Sequence, residues 1–376
     1  MDVKRPLQLL GGISPAQFMR QFWHKKPLLV RQAVPGFAPH LDRNQLFALA
    51  RDPGVASRLV WGTIGGAAGS WKMRQGPFSR RSLPPRSRAG WTLLVQSVDL
   101  FVDEVHALRE QFRFVPDARL DDVMVSFATD AGGVGPHFDS YDVFLLQASG
   151  RRRWRISAQN DLSLHDGLPL KVLRNFTPDA QYLLAPGDML YLPPRIAHEG
   201  VAVGECMTWS IGFRAPDSGN IAAELLQRLA TDVADVPRPR RYRDPRQSAV
   251  ATPARVPPQL AKFASVAVRA ALSDPQAIAR ALGESLTEPA PLAWFQPGVP
   301  VAQPAAVALD HKTKMLYDEH HVFINGESFL ASGRDAELMR LLADARRLPA
   351  SALTRASRQA QSLVAEWRVA GWVHGV

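Results

Sequence analysis

Apolar positions in the first 115 residues come in short, irregular groups. Ser14 can cap a helix over residues 14–25, with Pro15 in its first turn and Phe18, Phe22 and Trp23 on one face. Lys26-Pro27 ends that helix, and Leu28-Leu29-Val30 begins a strand. From 56 to 95, Gly, Pro, Ser and Arg are mixed with short apolar pieces, of which Trp91–Val95 reads as a buried strand. Residues 99–112 read as a helix. From 120 to 214 short strands recur at Val123–Ala128, Tyr141–Gln147, Arg152–Ser157, Gln181–Leu184, Met189–Leu192 and Met207–Arg214. Turn clusters separate them at Gly132-Gly133, Ser149-Gly150, Pro186-Gly187-Asp188, Pro193-Pro194 and Val203-Gly204. Strands at this spacing predict an antiparallel sandwich or barrel.

Beyond Arg214 the period lengthens to that of helices. Asn220 to Val233 carries Ile221, Leu225 and Leu229 four apart, and further helices are predicted at 257–272 and 274–283. A basic, Pro-rich stretch at 237–246 and a Pro-rich linker at 288–304 punctuate this region. The last part pairs Met315–Asp318 with His321–Phe323. It turns at Asn325-Gly326 into Ser328–Leu330, and adds helices at 335–346 and 357–366. Helices around a small hairpin predict a winged helix.

Composition narrows the class. The 376 residues include 46% hydrophobic and 21% charged side chains, which excludes a mainly disordered or coiled-coil chain. No apolar run approaches the roughly 20 residues needed to span a bilayer. The single cysteine, Cys206, excludes an internal disulfide and a cysteine-based zinc site. No secretory pattern opens the sequence, so a reducing, cytoplasmic location is expected. The net charge of +10 favours contact with polyanions such as RNA.

The chemistry concentrates in Gly132-Gly-Val-Gly-Pro-His137-Phe-Asp139. On a strand His137 and Asp139 point the same way, so an imidazole and a carboxylate can hold one edge of a metal ion. The best third ligand is His198, after the strand Met189–Leu192 and the Pro193-Pro194 turn. His165 lies in a polar loop, and His320 and His321 lie far off in the C-terminal region. Two histidines and a carboxylate leave open positions, the set expected for non-haem Fe(II) oxygen chemistry. Such chemistry needs electrons, and with no flavin or haem motif 2-oxoglutarate is the economical source. Its distal carboxylate would need a buried cation. Arg151-Arg152-Arg153-Trp154-Arg155 supplies candidates, with alternation sending Arg152 and Trp154 one way and the other three arginines the opposite way.

The run His137-Phe-Asp-Ser-Tyr-Asp-Val-Phe-Leu-Leu-Gln-Ala-Ser-Gly-Arg-Arg-Arg-Trp-Arg155 resembles the bacterial ribosomal oxygenases. These are JmjC and cupin-like 2-oxoglutarate oxygenases that hydroxylate an arginine of a large-subunit ribosomal protein. The resemblance extends to Phe22-Trp-His-Lys-Lys-Pro27, Trp91-Thr-Leu-Leu-Val-Gln96, Leu192-Pro-Pro-Arg-Ile-Ala-His-Glu-Gly200 and Ser210-Ile-Gly-Phe-Arg-Ala-Pro216. It implies a mixed α+β chain in three parts. An oxygenase domain over 1–216 has a double-stranded β-helix core, with its motifs in 120–214. A helical dimerisation region spans 217–287, and a winged-helix-like domain spans 305–376. It further implies Fe(II) held by His137, Asp139 and His198, with 2-oxoglutarate and O2 as co-substrates. Arg152 would bind the distal carboxylate, and Ser126 would line that pocket. Asp130 and Tyr141 are near enough in sequence to contact an arginine substrate. The partners implied are a large-subunit ribosomal protein, a second copy of the chain, and the ribosome or its rRNA, with no membrane. Alternatives are hydroxylation of a ribosomal histidine or a tRNA base, or a non-catalytic cupin with an RNA-binding winged helix. The acidic opening of the 335–346 helix, Asp335-Ala-Glu337, argues against the last.

Overall fold

The structure is a computed structural model that describes residues 2–62, 71–79, 81–234, 240–291, 293–299 and 306–376, with side chains for all but 232–234. Parts of two expected segments, 237–239 of the basic stretch and 292 and 300–304 of the Pro-rich linker, lie outside the described residues. The chain divides into two units, Met1–Ala215 and Pro216–Val376.

The first unit is built on nine antiparallel strands. In chain order its elements are α1 (Pro15–Gln21), β1 (Leu28–Val30), α2 (Arg43–Leu49), β2 (Ser57–Trp61), β3 (Lys72–Gln75) and β4 (Trp91–Val95). Then come α3 (Asp103–Glu110), β5 (Leu120–Ala128), β6 (Val143–Ser157), β7 (Ala180–Leu184), β8 (Met189–Leu192) and β9 (Ala197–Phe213). The strands run β1-β8-β6-β9-β5-β4-β2-β3, with β7 also on β6. Ser14 and Gln17 form a capping box on α1, as the sequence predicts, but the helix stops at Gln21 because His24 adopts a left-handed conformation before Pro27. The helix expected over 99–112 is split. Ser97 is left-handed, a single 3-10 turn follows, and α3 begins at Asp103.

Two expected hairpin turns are not turns. Ser149-Gly150 and Val203-Gly204 lie inside β6 and β9, which pair along most of their length and carry bulges between Gln147 and Arg151. Gly150 has φ +63°, and a Cβ there would lie 2.1 Å from the Glu205 carbonyl oxygen. A left-handed glycine in a long strand adds one residue and bends the ribbon instead of reversing it. The bend lets β6 pair with β8 through 143–146 and with β7 through 152–156. One face of the sheet buries Phe18, Trp91, Val125, Phe127, Phe144, Trp209 and Phe213. The other face holds Trp154, Leu145, Leu190 and Ile156, and separately Val60, Trp71, Leu94 and Val172.

The second unit holds α4 (Ser218–Ala234), α5 (Pro258–Ala271), α6 (Pro275–Thr287), β10 (Val307–Leu309), β11 (Met315–Tyr317), β12 (His321–Ile324) and β13 (Glu327–Leu330). It ends with α7 (Gly333–Ala345), β14 (Arg347–Leu348), α8 (Ala350–Thr354), α9 (Arg358–Val369) and β15 (Val373–Gly375). The hairpin turns at Asn325 and Gly326, both left-handed, as predicted. The strands β10, β14 and β15 form a second small sheet that no periodicity announced, since each has only two or three residues. Both sheets share a core of Val307, Met315, Val322, Leu342, Trp367 and Val373. Gly283 of α6 meets Phe323 of β12 so closely that a Cβ would sit 2.4 Å from the ring. Leu229 of α4 is buried, and Arg228 lies 3.6 Å from Glu284 of α6. Helix α5 buries none of its residues. Among the described residues no helix is long and apolar enough to cross a membrane.

Candidate metal centre

The Gly-rich segment after β5 is shaped by contact. A Cβ on Gly132 would lie 2.5 Å from the Trp91 carbonyl oxygen. Gly135 has φ +81°, and its Cβ would lie 2.9 Å from Trp71. This close approach sets His137 against β9. His137 N–H donates to the His198 carbonyl at 2.9 Å, and His198 N–H donates back at 2.7 Å. The two form an isolated antiparallel bridge, and Asp139 lies outside any strand, so the shared face expected of His137 and Asp139 on a strand is set here by that single bridge. Asp139 follows, its carbonyl accepting from Arg195 N–H at 2.8 Å.

His137, Asp139 and His198 each offer a ligand atom, all within 4.8 Å of one another, and among the described residues they are the one such group. Each imidazole Nδ1 lies 2.9 Å from a carbonyl two residues earlier, Gly135 for His137 and Ile196 for His198. Nδ1–H therefore donates, and Nε2 carries the free lone pair toward the centre. His198 Nε2 lies 3.6 Å from Asp139 Oδ2. Burial, and then the charge of His137, hold the His198 imidazole down at about 4, in its neutral, metal-binding form. The donor set and its convergence fit a divalent transition metal with open positions. His165 bonds through its backbone to Val172, and His321 lies beside Asp318 in the other unit, so neither joins the group.

Alternation along β6 runs as expected: Arg152 and Trp154 are buried, and Arg151 and Arg153 are exposed. Arg155 instead pairs with buried Glu199, its Nε donating at 2.8 Å. Arg152 is 6% exposed, and its Nη1 reaches Ser126 Oγ at 3.5 Å. Its Nε and Nη2 have no hydrogen-bond partner among the described residues. Its guanidinium sits 5.6 Å from the Trp154 ring centre, and that ring lies 5.9 Å from the His198 ring. A buried guanidinium with two unused nitrogens is costly unless an anion meets it, so the pocket fits a carboxylate ligand.

Tyr141 is partly exposed. Burial, and then the charges of Asp139 and Asp122, push its phenol up. Asp130 is exposed and accepts from Gly204 N–H at 2.8 Å. The residue that sequence reasoning missed is Asp122 on β5. It accepts from Ser97 N–H at 2.7 Å and lies close enough to Tyr141 to shift it. Burial, with Asp121 and Asp99 nearby, raises Asp122 to about 7.

Comparison with known proteins agrees with this geometry. Residues 107–221 match the JmjC domain family, and 270–374 match the ROXA-like winged helix. The chain is 39% identical over 202 residues to the ribosomal protein uL16 3-hydroxylase of Escherichia coli, covering 54% of this chain and 52% of that protein. It is 36% identical over 216 residues to a probable ribosomal oxygenase of Haemophilus influenzae, covering 56% and 52%. The matched part thus spans about half the length of these curated relatives. The crystal structure of E. coli YcfD superposes with a TM-score of 0.81 at 29% identity, over 96% of this chain and 97% of that one. A second YcfD structure, containing cobalt and 2-oxoglutarate, superposes at 0.77 and 28% identity, over 96% and 97%. With its JmjC domain, double-stranded β-helix core, winged helix and His-Asp-His group, the chain is similar along most of its length to bacterial ribosomal oxygenases of the JmjC family.

Proposed function

We propose that this protein is an Fe(II)- and 2-oxoglutarate-dependent oxygenase that hydroxylates an arginine side chain of a large-subunit ribosomal protein. The observation that carries the reading is buried Arg152, with two unused guanidinium nitrogens, one aromatic ring away from the triad. His137, Asp139 and His198 would hold the metal, and Arg152 with Ser126 would hold the distal carboxylate of the co-substrate. Bound there, the metal, 2-oxoglutarate and O2 supply the oxidation: the keto acid loses CO2 to become succinate, and one oxygen atom enters a C–H bond. The chain's own residues position and select. Trp154 walls the pocket between Arg152 and His198, and Gly200 leaves room for that ring, since a Cβ there would lie 2.7 Å from it.

The substrate class follows from charge. In a chain of net charge +10, Asp122 and Asp121 lie near enough to Tyr141 to act on its phenol, with Arg58 also in range. A guanidinium can pair with such a carboxylate and stack on the phenol. Asp122 and Tyr141 are the groups we assign to it, whereas Asp130 is held at the Gly204 bulge, beyond the other end of β5, and is not assigned to it. The uL16 hydroxylase among the relatives supports a ribosomal protein as the carrier of that arginine, which would place the reaction in the cytoplasm. The region 217–287 serves as the dimerisation region in this reading, and 305–376 as an interaction domain. Reconstitution with Fe(II) and 2-oxoglutarate, with ribosomal protein fragments as substrates, tests it. Succinate and a fragment heavier by one oxygen are expected. Substitution of the target arginine by histidine should abolish turnover, and preference for the histidine fragment would assign the alternative substrate.

A further inference from the structure

On the face of β6 opposite Arg152, the structure lines up arginines. Arg151, Arg153 and Arg155 alternate along the strand, about 7 Å apart at the usual rise. Their cross-strand partners on β9 are Val203, Val201 and Glu199. Past the bulge, Glu205 extends the row. Its carboxylate takes Arg43 at 3.0 Å and Arg86 at 3.4 Å, although these come from α2 and the loop before β4. Gly150 brings the β6 backbone against Glu205, so the two groups of arginines are contiguous. Five guanidinium groups thus share one surface, with Glu205 among them, Glu199 buried beneath Arg155, and Asp130 held at the neighbouring Gly204 N–H. Arg151 and Arg153 are exposed, with no carboxylate at ion-pair distance among the described residues.

We infer that this row is a binding surface for the phosphate backbone of RNA. Every cation in it is an arginine, whose planar fork matches phosphate oxygens. A linear array on a strand ribbon suits a polyanion that runs along it better than a compact acidic patch. Leu183, opposite Arg153, is the large apolar side chain exposed beside the row, too little to anchor a lipid surface. The surface lies outside the barrel, so the inference stands apart from the oxygenase reading. It gives the cationic chain a polyanion to hold while the proposed oxygenase site receives a basic side chain.

The test is fluorescence anisotropy of the full chain with a labelled single-stranded RNA and an rRNA hairpin, over a series of salt concentrations. The variant Arg43→Ser/Arg86→Ser/Arg151→Ser/Arg153→Ser should bind about tenfold or more weakly, and its log-affinity should fall less steeply with log salt by about 2–3 units. A control variant, Arg334→Ser/Arg347→Ser/Arg355→Ser/Arg358→Ser, removes the same charge from the second unit and should bind like the parent. Circular dichroism and 2-oxoglutarate turnover on a short peptide should be unchanged in the first variant, which shows that it folds. Equal losses in both variants would reduce the effect to net charge and overturn the surface. Binding to phosphatidylglycerol vesicles but not to RNA would overturn it in favour of a membrane, and binding to polyglutamate alone would assign it to an acidic protein.

Discussion

His137 and His198 exchange both backbone hydrogen bonds, at 2.9 and 2.7 Å, so the main chain itself sets the spacing of two metal ligands. Removing one imidazole leaves that bridge in place. His137→Ala should therefore fold normally and lose metal affinity. Calorimetric titration with Co(II) or Mn(II) should show the parent binding one ion and the variant binding none, with 2-oxoglutarate decarboxylation lost as well. Full turnover in the variant would remove His137 from the site.

Arg152→Ala should raise the apparent KM for 2-oxoglutarate while metal affinity survives. Losing a buried charge pair costs on the order of 2–5 kcal/mol. Arg151→Ala and Arg153→Ala, on the outer face, should leave that KM unchanged. The reverse pattern would mean that the strand presents its other face to the pocket.

Asp122 gives a pH signature. Burial holds its carboxyl at about 7, and it must ionise to pair with a guanidinium. Substrate KM should therefore fall as pH rises from about 6 to 8, because the charged form becomes populated. Asp122→Asn should bind substrate poorly at every pH and show a flat profile. A slope that persists in this variant would assign the titration to another group.

Helix α5 buries nothing, and Leu260, Val268 and Leu272 recur on one exposed face at helical spacing. In the proposed dimer this face meets a second copy. The spacing of Ile221, Leu225 and Leu229 predicts a second apolar face for such a dimer, but Leu229 is already buried within the chain. Sedimentation should give a dimer for the parent at micromolar concentration and a monomer for Leu260→Glu/Val268→Glu. A parent that sediments as a monomer would remove the helix from that role.

The arginine phase was legible because it rests on strand parity, and the triad because its residue types and two-residue spacing survive even where the strand is only a single bridge. An arginine between two others points predictably once the strand is recognised. The bulges at Gly150 and Gly204 were not legible, because a left-handed glycine serves a turn and a bulge equally and only the partner strand decides. Asp122 was missed for a related reason. Asp121-Asp122 reads as a solvated strand start, and only the folded ribbon brings it to Tyr141. The smallest strands of the second unit are shorter than any period.

The paired ribbon of β6 and β9 also acts as a ruler. His198 pairs with Ile156, and Arg152 with Ala202, so four residues on each strand separate the metal-binding end of the pocket from its cationic end. That interval is fixed by hydrogen bonds along both strands, and no flexible loop interrupts it. A keto diacid one methylene shorter or longer would reach the triad or the guanidinium, but not both at once. Under the proposed function the co-substrate is thus selected by length, and that length is set by the backbone register together with the reach of the Arg152 side chain.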